Sequence, residues 1–257
     1  ELNIKDITEK SVDFIVITHP DQDHTIGIKK VLENFSVKKI YMNRPWKYVD
    51  DLFDKINDGR ITKESLARRL REKYKTIVDI EDMAKEKNIP IYEGTHIEDE
   101  LLILSPEKQY YLSLLVSSEK TPLEMSSALQ HDGTLLKFLA SVKDFALNIL
   151  ETWDIETLRE SETTSAENET SVILRGKVDG SGFILTGDAG IGSLNRAIDY
   201  MEKIGENIVE DISFYQVPHH GGRHNVSPSV LNRMLGEKIE KGNSRNKVAF
   251  ASVAQNS

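Results

Sequence analysis

The chain has 257 residues, with 33 Lys+Arg against 42 Asp+Glu, a net charge of −9 and no cysteine. That length suits one large domain with an ample buried core, and the missing cysteines exclude a disulfide scaffold, a Cys-ligated zinc site, an iron–sulfur cluster and a cysteine nucleophile. The acidic balance argues against a general DNA-coating protein; no apolar run approaches the ~18 residues of a spanning helix and no signal-peptide pattern opens the chain, so a cytoplasmic protein with no membrane association is expected.

The run Val12 to Thr18 is rich in β-branched residues and reads as a buried strand. It leads into a polar loop, His19-Pro20-Asp21-Gln22-Asp23-His24, then a helix over Thr25 to Asn34 and a strand over Val37 to Met42. Strand, polar loop, helix and strand in that order point to α/β layering. From Pro45 to about Asn88 the composition is charged and helical, and Pro45 suits a helix start. Strands are expected at Ile89 to Tyr92, Leu101 to Leu104 and Gln109 to Ser117. A helical block runs from about Pro122 to Trp153, and the polar stretch Glu156 to Glu169 reads as a mobile loop. Ser171 to Val178 and Gly182 to Thr186 read as a hairpin turning at Asp179-Gly180-Ser181. Helices near Ser193 to Ile204 and Ser227 to Glu240 alternate with strands at Ile212 to Val217 and Lys247 to Val253. No internal repeat is visible.

Three polar clusters follow strands. The first holds four potential metal ligands within six residues: His19, Asp21, Asp23 and His24. A turn past a strand end can aim several such side chains at one point, and mixed imidazole and carboxylate donors suit zinc, manganese or iron. The plain alternative is a polar loop in which Asp23 caps the next helix. The second cluster, Thr186-Gly187-Asp188-Ala189-Gly190, is an ordinary turn if taken alone. The third, Val217-Pro218-His219-His220-Gly221-Gly222, could by itself be a solvated surface loop. Gathered at one sheet edge, the three have the composition of a two-metal hydrolytic centre.

These motifs, in this order, resemble the metallo-β-lactamase fold superfamily, and more narrowly the metallo-hydrolase group of the ComEC/Rec2 DNA-uptake proteins. Thr18 to His24 matches that group's variant of the metal loop, with Asp21 where most members carry a second histidine. Ser171 to Arg175, Thr186 to Ala189 and Val217 to Gly221 match its later motifs, so the likeness covers roughly 12–42 and 168–256. The resemblance implies an αββα sandwich, one domain over 1–257 with helical insertions at about 45–88 and 119–168. It implies two divalent ions, zinc or manganese. His19 and Asp21 would hold one, Asp23 and His24 the other; Asp188 would bridge them, and His219 or His220 would complete the second site. A hydroxide between the ions would be the nucleophile, oriented by Asp23.

Several departures from the family pattern stand out. Ile26-Gly27 replaces its Gly-Gly, and its initial hairpin and final Gly-His-Pro have no counterpart, which reads as truncation at both ends. His96 and His131 are the only candidates for its extra ligand, and Arg223 and His224 are candidate anion contacts. The resemblance leads to a metal-dependent hydrolase of phosphodiesters, with nucleic acid as substrate. A small-nucleotide or small-ester hydrolase and a non-catalytic, metal-stabilised subunit of a larger complex are the alternatives. A protein partner could dock on either insertion. The 45–88 stretch has a basic face of Arg68, Arg69, Arg71, Lys73 and Lys75 near Trp46 and Tyr48. A nuclease of this acidity should gather its cations, with Arg68, Arg69, Arg71, Lys73 and Arg223 forming a strip toward the metal loop. The plain reading of that stretch is a solvated amphipathic helix. Asp188→Asn is expected to leave metal-free stability unchanged or higher, because the nearby acidic and imidazole groups would then repel less.

Overall fold

The computed structural model describes residues 10–55, 61–94, 96–98, 101–118 and 158–252. In chain order the elements are β1 (Ser11–Val12), β2 (Ile15–Ile17), α1 (Gln22–Asn34), β3 (Ser36–Val37), β4 (Ile40–Met42), a 3-10 turn (Pro45–Tyr48), α2 (Val49–Phe53), α3 (Lys63–Lys73), α4 (Lys75–Glu86), β5 (Ile91–Tyr92), β6 (His96–Glu98) and β7 (Leu101–Ser105). After these come α5 (Lys108–Ser117), α6 (Ala166–Glu169), β8 (Ile173–Val178), β9 (Ser181–Leu185), α7 (Ile191–Lys203), α8 (Ile208–Asp211), β10 (Ile212–Gln216), a second 3-10 turn (Pro218–Gly221), α9 (Pro228–Leu235) and β11 (Val248–Phe250).

Side-chain alternation along the strands sets the layers. β2, β4 and β5 form a parallel sheet, and β11-β10-β9-β8-β7-β6 form a larger mixed one. Ile15, Ile17, Ile40 and Met42 point to one side of the small sheet, where they pack with Leu32 of α1, Leu66 and Leu70 of α3, and Ile77 and Ile80 of α4. Their neighbours Val16 and Tyr41 point the other way, against Ile103, Val172 and Leu174 of the large sheet. On that sheet's far side, Ile173, Ile184 and Ile212 meet Leu194, Ile198 and Met201 of α7 and Val230 of α9. Period-two alternation thus splits the apolar residues into three cores. Helices, sheet, sheet and helices stack in four layers, and the architecture is the αββα metallo-β-lactamase fold.

Three expectations about elements need correcting. Residues 108–117 are a helix rather than a strand. Tyr111, Leu112, Leu114 and Leu115 of α5 are buried, spaced as a helix face, so packing overrides the aromatic, apolar composition that suggested a strand. α1 begins at Gln22 rather than Thr25, which puts Asp23 and His24 in its first turn. Its N-cap residue is Asp21, whose side chain makes no capping bond, so Asp23 does not cap it. The described part of the polar stretch before Ser171 is not a free loop: it contains α6, and Glu167, Asn168, Thr170 and Ser171 are buried. The expected helical block over 122–153 lies outside the described residues.

Residues 45–88 are helical where described, and they are pinned to the small sheet by an ion-pair cluster. Glu81 of α4 is 2% exposed and takes Arg44 (3.1 Å), Arg71 (3.0 Å) and Lys85 (3.2 Å). The guanidinium of Arg71 also lies over the buried Trp46 ring, 4.9 Å from its centroid. Trp46 is therefore a packing residue, and the Arg71 guanidinium is committed to Glu81 and the Trp46 face.

Candidate metal centre

The three clusters meet because three strands end on one side of the molecule. β9 and β10 run parallel, so the loops after Leu185 and Gln216 leave the same edge. β2 belongs to the other sheet, and the bond from Val172 N to Thr18 O (3.0 Å) brings its exit to that edge.

His19 leaves β2 with its side chain fully buried. Its Nδ1 is 3.1 Å from Thr18 Oγ1, while its Nε2 is buried with no hydrogen-bond partner among the described residues. That Nε2 is 3.9 Å from Asp21 Oδ2 and 3.8 Å from Asp188 Oδ2. His24 reaches the other oxygen: its Nε2 is 3.2 Å from Asp188 Oδ1 and 3.5 Å from Asp23 Oδ2. One carboxylate therefore stands between two imidazoles, one oxygen to each.

Asp188 is held on a turn that only glycine fits well. Gly187 has φ +53, and a Cβ there would lie 3.2 Å from Ser171 Cβ and from Thr18 Cβ and Oγ1. Gln216 Oε1 accepts from the amides of Thr186 (3.0 Å) and Gly187 (3.4 Å), and Ser171 Oγ accepts from the Asp188 amide (3.1 Å). Asn225 Nδ2 donates to the carbonyls of Asp188 (2.8 Å) and Ala189 (3.3 Å).

His219 and His220 are consecutive residues with left-handed backbones, at φ 47 and 56. Each such residue costs about 1–2 kcal/mol without glycine's freedom, and strain of this kind persists only when the surroundings over-determine it. Here they do. The His219 amide donates to Gly187 O (3.2 Å), and Gly222 N donates back to His219 O (2.8 Å). His219 Nδ1 lies between the Asn168 amide (2.8 Å) and Asp188 Oδ2 (3.2 Å). His220 Nδ1 contacts the Ser252 carbonyl, which fixes the proton on that nitrogen and leaves Nε2 with the lone pair.

Among the described residues, possible ligand atoms gather in two overlapping triads: His19, His24 and Asp188, and Asp23, His24 and His220. Within each triad they lie within 4.8 Å of one another. Asp21 adjoins the first through His19, and His219 adjoins it through Asp188. All seven candidate residues thus come to one place, which no separate surface arrangement would give. His96 is on the edge strand β6, three strands from β9; His131 lies outside the described residues. His224 does not join the cluster but pairs with Glu162 (2.7 Å).

The electrostatics suit cation binding. Burial pushes the His19 imidazolium down to about 4, with the charge of His24 acting the same way against the pull of Asp188, Asp21 and Asp23. His19 is therefore a neutral donor at physiological pH. The hydrogen bond to Asp188 outweighs burial and raises His24. For Asp188, burial acts upward, but the bond to His24 and the nearby imidazoles hold its carboxyl below the usual range. A buried His19 Nε2 without a hydrogen-bond partner among the described residues, beside three carboxylates and further imidazoles, fits a divalent ion with mixed N/O preference.

Of the supporting residues, Ser171 belongs to a motif read from the sequence, whereas Asn168, Gln216 and Asn225 were not singled out there. Gln216 alone carries a positional signal, as the polar last residue of β10. Residues 1–103, less than half of the chain, match the family model described as Metallo-beta-lactamase superfamily. That superfamily is in general one of metal-dependent hydrolases, and both the matched segment and the four-layered architecture are consistent with it. No curated protein matches the chain. No described helix is long and apolar enough to cross a membrane.

Proposed function

We propose that the chain is a metal-dependent phosphodiesterase acting on nucleic acid, of the ComEC/Rec2-like kind, with two divalent ions, zinc or manganese. The observation that carries the metal centre is the buried, unpartnered Nε2 of His19, aimed at Asp188 with the other ligand-type side chains around it. His19, Asp21 and Asp188 would hold one ion, and Asp23, His24, Asp188 and His220 the other. Such ions supply an acidified water and positive charge opposite the leaving oxygen. The chain's own part is to orient. Asp188 offers one oxygen to each imidazole, and Ser252 sets the tautomer of His220. Asp23 is the ligand-type carboxylate most open to solvent, with 67% of its side chain exposed, so it is placed to meet water and substrate. His219, held at Nδ1 by Asn168, stands beside Asp188.

A small-nucleotide or small-ester hydrolase is favoured by the net charge of −9, which repels a polyanion. Metal analysis after reconstitution with zinc or manganese, followed by assays on labelled single- and double-stranded DNA and RNA, decides between the readings. Two ions per chain and cleavage of a polymer are expected. Two ions with turnover of a small diester alone would move the assignment to the second reading, and bound ions with no turnover to a non-catalytic subunit.

A further inference from the structure

Beside the metal loop runs an open groove of about 520 Å³, within the usual range for ligand sites. One wall carries Asp21 and Asp23; the other is the corner between α3 and α4, with Glu72, Lys73, Lys75 and Thr76. Thr76 Oγ1 donates to Pro20 O (3.3 Å), a bond that ties the two walls together.

The charges of the far wall are unevenly matched. Glu72 faces Arg68 at 3.9 Å. Lys75 and Lys29 share the single carboxylate of Asp79, at 2.7 and 2.6 Å. Lys73 is exposed and has no carboxylate partner among the described residues. Of the two lysines on this wall, Lys75 thus shares its acid with Lys29 of α1 and Lys73 has none, leaving a cationic excess on the wall opposite two of the metal-ligand candidates. The first turns of α1 and α4 lie along the two walls, and no side chain caps either helix, which adds to the attraction for an anion. An open trough with acidic ligands at one side and under-matched lysines at the other matches a chain of phosphates better than one small ester. The ions would meet one phosphate and the lysines a neighbouring one.

We propose that this groove binds the phosphate next to the scissile one in a polynucleotide, with Lys73 and Lys75 as its contacts. The inference rests on the phosphodiesterase reading above. It also redraws the cationic strip expected from the sequence: Lys73 and Lys75 reach the groove, whereas Arg71 is turned inward to Glu81.

The test compares wild type with the Lys73→Ala/Lys75→Ala double variant, both reconstituted with metal. Binding of a labelled single-stranded phosphorothioate oligonucleotide is followed by fluorescence anisotropy against salt. The double variant should bind at least ~5-fold more weakly at low salt, and its log–log salt slope should be shallower by about 1.4, two contacts at about 0.7 each. Its kcat/KM on an oligonucleotide should fall at least ~5-fold more than on bis(4-nitrophenyl) phosphate, which has no second phosphate. Unchanged affinity and slope, or equal losses on the two substrates, would overturn the proposal while leaving the hydrolase reading intact. So would an equal loss in Lys177→Ala/Lys203→Ala, lysines of β8 and α7 outside the groove. No turnover of either substrate by the loaded wild type would overturn the phosphodiesterase reading, and this one with it.

Discussion

The loop after β2 and the loop after β10 both deliver histidines to the same centre, by opposite means. His24 sits in the first turn of a regular helix of 13 residues, so ordinary helical geometry aims it. His219 and His220 sit on left-handed backbone and are held by Gly187, Asn168 and Ser252. One side of the centre is built locally, and the other is borrowed from distant parts of the chain. The difference teaches where the site is vulnerable. The helical side should tolerate changes in its neighbours, and the strained side should not.

Asp188 joins the two sides, so Asp188→Asn should have the largest effect. We expect metal affinity and activity to drop beyond the ~100-fold typical of losing an outer-shell partner, read by metal titration and turnover. The sequence alone suggested that the metal-free variant would be no less stable. The groups that the structure sets against Asp188 are the imidazoles of His19, His24 and His219, and its bond to His24 is charge-assisted. The metal-free variant should therefore lose about 1.5–3 kcal/mol in urea unfolding near pH 6. The sign follows from both partners. The lowered Asp188 contributes above its ordinary value of 3.8 and loses this as pH falls; the raised His24 contributes below 6.5 and loses this as pH rises through its folded value. The stability gap between wild type and variant should close toward alkaline pH. A constant gap would sink the ion-pair account.

The next test sets the borrowed side against the local one. Asn168→Ala removes the amide at His219, and metal affinity should fall about 10–100-fold, as for other outer-shell partners. Ile26→Ala, two residues from His24 but 65% exposed on α1, should change it less than about twofold. Comparable losses would erase the distinction. Gly187→Ala should lie between them in binding and cost about 1–3 kcal/mol of stability, from left-handed backbone and crowding against Thr18 and Ser171.

The smallest effect is a proton count. Burial lowers His19 to about 4, whereas Asp188 raises His24. Metal uptake just above pH 6.5 should therefore release more protons from the wild type than from Asp188→Asn, measured by calorimetry in buffers of different ionisation enthalpy. Equal release would mean that Asp188 does not raise His24.

The ligand-type residues were legible because they carry unusual chemistry in short runs: His19 to His24, Asp188, and His219 with His220. The layering was legible too, since Ile15, Val16 and Ile17 alternate as strand residues do. What composition hid was the use of ordinary polar residues. The run ending in Glu167, Asn168 and Glu169 looks like a solvated loop, yet each side chain is spoken for. Glu167 pairs with Ser118, Asn168 with His219, and Glu169 with the amides of Gly192 (3.1 Å) and Ser193 (2.7 Å) at the start of α7. No local pattern encodes partners that lie up to 51 residues away. Helix α5 is hidden from the sequence for a related reason, because burial decides its conformation.

The contact between Ser118 and Glu167 fastens the chain shortly before and after the span from 119 to 157. Glu160 and Glu162 add anchors on the returning side, at Ser229 and His224. Asn168, next to Glu167 on α6, carries the same fastening to His219 of the candidate metal centre. In engineering terms the contact is a brace: Ser118, 49 residues up the chain from Glu167, steadies the short helix from which Asn168 meets a histidine.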